Sequence, residues 1–273
     1  MRLYDAHNHL QDERLAPHLE AILTSPDCAD IVRMVVNGSC EEDWPVVMEL
    51  ARRDRRVLPS FGYHPWYLHE RSPSWQRELI RCLDMVPSAV GEIGLDKWIL
   101  EKRSGCADLE AQKEVFVWQL RLAAERNLPV SIHCLKAWGA LLEILRHEPR
   151  PRCGFLLHSY GGPREMVDEL ARLGAYFSLP GYFAHERKQR QRDVFLAVPR
   201  DRLLIETDAP DQPLPPDRDR HPLVEIGTGE VLNHPGNLGA VLTFAAGLLG
   251  ETGEELASRI EENFLRLFGG IRG

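Results

Sequence analysis

Residues 110–133 read Glu110-Ala-Gln-Lys-Glu-Val-Phe-Val-Trp-Gln-Leu-Arg-Leu-Ala-Ala-Glu-Arg-Asn-Leu-Pro-Val-Ser-Ile-His133. Val115, Trp118, Leu122 and Leu128 fall near one face of a helix, with charges opposite. Pro129 cannot continue that helix, and Val130 opens a short strand-like run that closes on His133. Helix, breaker, strand and a terminal metal-binding side chain together make one unit, and the same alternation recurs along the chain.

Strands are expected near 2–7, 31–36, 57–62, 88–92, 129–133, 153–158, 175–179 and 203–207. Helical stretches fall between them at 42–54, 74–86, 108–126, 137–147, 163–173 and 186–197, with closing helices at 237–249 and 253–267. Eight strands alternating with helices predict an α/β protein, a TIM (β/α)8 barrel of the metal-dependent hydrolase type. The chain has 273 residues, 44% of them apolar, enough for one large core, so residues 1–273 are expected to form a single domain. Candidate strand ends at His9, Asn37, His64, Glu92, His133, His158, Gly181 and Asp208 are regularly spaced except before His133. The extra residues there, around Lys97–Leu109, are expected as a loop over the site, and the proline-rich 209–233 as a rim loop.

A net charge of −8 argues against a protein that coats nucleic acid electrostatically. Divalent cations bound in one cleft still make that cleft positive. The run Arg187–Arg192 reads as a solvated helix face. Six cysteines without a Cys-x-x-Cys pair read as reduced thiols, which places the chain in the cytoplasm. A strand beginning at residue 2 leaves no room for a signal peptide, and Ala240–Leu249 is too short an apolar run to cross a bilayer. No Gly-x-Gly-x-x-Gly turn follows a strand, so nucleotide-dependent redox chemistry is not expected.

His7, His9, Glu92, His133, His158 and Asp208 are the candidate metal ligands. Taken singly, each has an ordinary reading: hydrogen-bonded histidines at 7 and 9, a turn carboxylate in Gly91-Glu-Ile-Gly94, core histidines at 133 and 158, a turn-initiating Asp208 before Ala209-Pro210. Taken together, all six sit at strand C-termini, the face on which barrel active sites are built. One tetrahedral ion needs only three protein ligands plus water. The surplus points to two divalent ions sharing a bridging carboxylate, with zinc, manganese or magnesium as the candidates. Asp208 is expected to act as general base, taking a proton as a metal-bound hydroxide attacks.

The strings Asp5-Ala-His-Asn-His9, Gly62-Tyr-His-Pro65, Gly91-Glu-Ile-Gly-Leu-Asp96, His133, His158-Ser-Tyr-Gly-Gly162, Glu206-Thr-Asp-Ala-Pro210, Asn233-His-Pro235 and Asn263-Phe-Leu-Arg-Leu-Phe-Gly269 resemble, in order, those of the TatD family of metal-dependent hydrolases. That family belongs to the amidohydrolase-like barrels and includes deoxyribonucleases. The resemblance implies that His7, His9, Glu92 and Asp208 hold one metal and that Glu92, His133 and His158 hold the second, with Glu92 bridging. It also implies that His64 lies in the pocket and hydrogen-bonds a substrate phosphate. The plainer reading of His64 is a turn histidine before a proline. Asp96 is expected in a loop or behind the ligands. Two positions depart from the family pattern: Leu232 and Leu135 stand where basic residues are usual, and His234 stands where the family has Glu. Loss of those cations weakens the expected grip on DNA. The implied activity is hydrolysis of a phosphoester, DNA among the candidates, of the exonuclease or deoxyribonuclease kind. The alternative is cleavage of a C–N or carboxylic ester bond in a small metabolite, because fold does not fix function. A monomer or small homo-oligomer is expected.

Overall fold

A computed structural model of the protein describes residues 1–271. Its eight parallel strands are β1 (Leu3–Asn8), β2 (Ile31–Asn37), β3 (Val57–Phe61), β4 (Ala89–Asp96), β5 (Val130–Leu135), β6 (Phe155–Leu157), β7 (Ala175–Pro180) and β8 (Leu203–Glu206). Most are buried along their whole length, because helices cover one face and the barrel interior fills the other. Neighbours hydrogen-bond in the order β1 to β8, giving a nearly closed TIM barrel. The gap between β8 and β1 is bridged by Asp208 N–H to the His7 carbonyl (3.0 Å) and His9 N–H to the Ala209 carbonyl (2.7 Å). Buried Asp5 reinforces this seam: its carboxylate accepts from the Thr207 N–H (2.9 Å) and hydroxyl (2.6 Å), 202 residues away.

The helices are α1 (Leu19–Thr24), α2 (Trp44–Arg53), α3 (Trp75–Met85), α4 (Trp98–Lys102), α5 (Leu109–Arg126), α6 (Trp138–His147), α7 (Val167–Arg172), α8 (Gln189–Phe195), α9 (Leu238–Leu249) and α10 (Gly253–Phe268). Asp108 caps α5 by accepting from Ala111 N–H, and Asn127 ends it in the left-handed conformation. Thr252 and Glu255 form a reciprocal capping box at the start of α10. That helix packs against β1 and β8: Phe264 lies on Tyr4, and Asn263 donates to the carbonyls of Arg200 and Leu203. Among the described residues no helix is long and apolar enough to cross a membrane.

Several expectations are corrected. The 97–109 insertion contains α4, and the 209–233 loop contains an antiparallel ribbon, β9 (Leu223–Val224) with β10 (Val231–Leu232). Both are too short to show a period. The buried side of α5 is carried by Gln112, Val115, Phe116, Gln119, Leu120, Leu122 and Ala123: Val115 and Leu122 lie on it as expected, while Trp118 and Leu128 are only partly buried. Strand β4 does not end at Glu92 but continues to Asp96, and β5 passes His133 to Leu135. Gly91 and Gly94, read as turn formers, are instead glycines of close approach. A Cβ on Gly94 would lie 2.0 Å from the His133 carbonyl oxygen, so only hydrogen lets β4 lie flush on β5 there. Strand β3 stops at Phe61, and His64 caps the short 3-10 turn Pro65–Tyr67.

Candidate metal centre

Glu92 projects from the middle of β4 and is the hub of the site. Imidazoles from four other segments surround its two carboxylate oxygens: His158 at 2.8 Å, His133 at 3.1 Å, His9 at 3.2 Å, His64 at 3.4 Å and His7 at 3.5 Å. Asp208, two residues beyond β8, brings a carboxylate oxygen to 3.6 Å from both His7 and His9. All six ligand candidates and His64 therefore converge at one end of the barrel. His7, His9 and Asp208 form one compact group; His7, Glu92 and His158 a second; His64, Glu92 and His133 a third.

Hydrogen bonds on the outer ring nitrogens decide what each imidazole offers inward. The Nδ1 of His9 lies 2.8 Å from the Asn37 carbonyl, which only accepts, so Nδ1 carries the proton and Nε2 turns a lone pair inward. The Nε2 of His133 lies 3.0 Å from Asp96, so its inward Nδ1 is likewise a lone pair. Asp96 is thus not in a loop but at the buried end of β4, holding His133 in place. His7 is held by Ser131 Oγ at 2.7 Å. In these neutral forms His9 and His133 present lone pairs to the carboxylate oxygens of Glu92, acceptor facing acceptor. A cation between them, or a proton on the imidazole, is required. The donor set fits divalent cations of the zinc or manganese kind.

His64 differs. Its Nδ1 accepts the N–H of Trp66 (3.2 Å), so the proton sits on Nε2, and the ring points a donor, not a lone pair, into the pocket. That arrangement suits gripping an anionic oxygen better than ligating a metal. His158 leaves a buried Nδ1 without a hydrogen-bond partner, 3.7 Å from Glu206.

The charge states follow. Burial lowers the His7 pKa to about 3 and that of His64 to about 4, so both are neutral. Burial also works to lower His9, but hydrogen bonding and charge from Glu92, with Asp208 behind it, reverse this and raise it to about 9. Glu92 is disfavoured as an anion by burial, yet the histidines around it hold its pKa well below the carboxylate range. Burial raises Asp208 to about 7, and the charges of Glu206 and Glu92 push the same way.

Three supporting residues escape a reading of motifs. From one face of α5, the Gln112 side chain accepts the Asp96 N–H (2.7 Å) and donates to the Asp96 carbonyl (3.0 Å). One heptad on, Gln119 does the same for Tyr63, accepting at 2.7 Å and donating at 3.2 Å. They brace the backbone beside His64 and behind His133. Their only signal is two glutamines seven apart on a helix that is otherwise apolar inward. Gln212 donates to Asp208. Leu232 is buried, so the apolar side chain there belongs to the core, whereas Leu135 is exposed at the rim between Lys97 and Lys136. In the Arg187–Arg192 run, Arg192 donates to the carbonyls of Phe183 and His185, and Arg187 to Tyr182.

A family model for TatD-related DNases matches residues 4–269. The chain is 31% identical over 270 residues to an uncharacterised metal-dependent hydrolase, YabD, of Bacillus subtilis (strain 168), covering 97% of this chain and 98% of that one. It is 30% identical over 273 residues to the 3'-5' ssDNA/RNA exonuclease TatD of Enterobacter lignolyticus (strain SCF1), covering 98% and 99%. Among solved structures, the TatD homologue YjjV of Escherichia coli K12 superposes with a TM-score of 0.84 at 28% identity, over 98% of each chain.

Proposed function

The chain belongs to the TatD-related DNase family and is a metal-dependent hydrolase of that kind; from this premise we propose that it hydrolyses phosphodiesters of a polynucleotide with two divalent cations. One observation carries the reading. Imidazole nitrogens and carboxylate oxygens converge from five strands and the residues just beyond them so closely that only cations or added protons reconcile them, beside one histidine whose outer nitrogen accepts and whose inner nitrogen donates. His7, His9, Glu92 and Asp208 would hold one cation, and Glu92, His133 and His158 the other. Cations bound there supply Lewis acidity and lower the pKa of an attacking water.

The protein's own groups do the rest. Asp208, its second oxygen held by Gln212, would take the proton from that water. His64 donates through Nε2 to a non-bridging phosphate oxygen, which gains charge in the transition state. Asp96 and Gln112 keep His133 from turning, and Gln119 keeps the His64 turn in register.

The test is a substrate panel with manganese, magnesium or zinc: a single-stranded oligonucleotide, a duplex, a small phosphodiester, and amide and carboxylic ester substrates. Metal-dependent release of nucleotides supports the reading. Turnover confined to the amide or carboxylic ester arm would transfer the same centre to small-metabolite hydrolysis.

A further inference from the structure

We propose that Trp66 and Trp98, with the cations around them, form a seat for the bases of a single-stranded polynucleotide beside the metal centre. The inference rests on the phosphodiester reading of that centre and names which form of the polymer it takes.

Trp66 borders the site directly. Its ring centroid lies 5.3 Å from that of His64 and 6.3 Å from that of His133. Its indole N–H donates to Asp96 Oδ2 at 2.6 Å, and the same oxygen receives His133 Nε2 at 3.0 Å. One carboxylate oxygen thus sets the angle of a candidate ligand and of an aromatic plane at once. Trp98 opens α4, with its centroid 6.3 Å from that of Trp66 and the two planes tilted by 32°. Both rings are half-buried, so each keeps surface open to a ligand. Trp98 is not the anchor of α4, because Ile99 fills that role as the buried residue of the helix.

The charge around the rings is the second observation. Lys97, Lys102 and Arg103 are exposed within seven residues, and among the described residues none of them pairs with a carboxylate. Lys102 lies 6.0 Å from the Trp98 ring, and Lys136 stands at the end of β5, paired with Glu101. On a chain of net charge −8, four exposed cations, Lys97, Lys102, Arg103 and Lys136, thus stand close in sequence or pairing to Trp98. Cations that follow a backbone and aromatic faces that take bases are the two parts of a sequence-tolerant single-strand site. A duplex keeps its base faces stacked on one another and cannot use the rings. The cations missing at Leu135 and Leu232 are thereby replaced from the insertion between β4 and α5.

The experiment uses metal-free protein and fluorescence anisotropy with labelled oligo-dT, an abasic strand of equal length, and a duplex. Trp98→Ala should weaken oligo-dT binding at least about fivefold, the lower end for one stacked base. Its affinity for the abasic strand should move less than twofold. Trp98→Phe, which keeps a ring, should recover most of the loss, separating stacking from misfolding. Lys102→Ala with Arg103→Ala should weaken oligo-dT and abasic strands alike. Equal losses on oligo-dT and abasic strands in Trp98→Ala, no loss at all, or a wild-type protein that binds both strands equally would each overturn the seat. Turnover of the same oligo-dT by metal-loaded wild type tests the parent reading separately. Binding through Trp98 without cleavage would sink that reading and leave the seat standing.

Discussion

Substitution of Gly94 by alanine should damage this protein out of proportion to one methyl group. The new Cβ would fall 2.0 Å from the His133 carbonyl oxygen and within 2.9 Å of its nitrogen, both backbone atoms that no rotamer change can move away. Contacts of a real Cβ stop at about 3 Å, so β4 and β5 must separate by about 1 Å at the residue that carries an imidazole into the site. The φ of +156° is one that alanine rarely adopts, which adds strain. Overpacking of this kind costs about 1–3 kcal/mol, which in a domain of this size lowers Tm by roughly 2–12 °C. A shift of about 1 Å in a positioned group costs on the order of 10²-fold in rate. Thermal unfolding, metal content and turnover of Gly94→Ala should therefore fall together. Gly247→Ala is the matched control: that glycine lies in α9 with nothing within 4 Å of its added Cβ, and alanine there should stabilise by roughly 0.5–1 kcal/mol. Wild-type Tm and turnover in Gly94→Ala would refute the close-approach account of β4.

Glu92→Ala should lose metal from both positions, measured by elemental analysis after dialysis, since one carboxylate faces every imidazole; retention of one full equivalent would count against a bridge. Asp208→Asn should cut turnover by about 10²–10⁴-fold while lowering metal content far less, and near-normal activity would assign the proton to another group. Gln119→Leu strips the Tyr63 N–H and carbonyl of their partners, at about 1–3 kcal/mol for each buried group left unsatisfied; unfolding in urea should show the loss, and an unchanged midpoint would mean water replaces the amide. Metal-free His9 is protonated below its pKa of about 9, whereas a ligating imidazole is not, so binding at pH 8 should release at least about one proton. His158, which burial would lower but Glu92 and Glu206 hold well above the ordinary imidazole range, adds to that release. Calorimetry in buffers of different ionisation enthalpy reads this directly, and affinity should fall as pH falls; zero release would mean His9 is neutral before metal arrives.

The barrel was legible because parallel strands covered on both faces read as unbroken apolar runs, and because breakers such as Pro129 separate them from helices. The ligand candidates were legible because imidazoles and carboxylates seldom close such runs. What escaped is instructive. A glycine in Gly91-Glu-Ile-Gly94 signals either a turn or a close approach, and sequence alone does not say which, so β4 looked to end at Glu92 when it runs to Asp96. Gln112 and Gln119 drew no reading because polarity on a helix normally means solvent, yet here they satisfy strand-end backbone that would otherwise be buried unpaired. Asp96 was read as lying in a loop or behind the ligands; it does stand behind His133, but on a strand, and the loop half of that reading came from cutting β4 short. The basic, aromatic character of residues 97–103 was hidden by α4 being one turn long.

The stitching of β1 to β8 through Asp5 and Thr207 has a consequence for when the protein becomes active. A chain made from its N-terminus carries His7 and His9 about 200 residues before their carboxylate partner, Asp208, is added. No chain that stops short of residue 208 can hold both halves of that cluster. If the centre cuts nucleic acid, as proposed, a growing chain tethered to the very messenger that encodes it is harmless until the codon for Asp208 has been read.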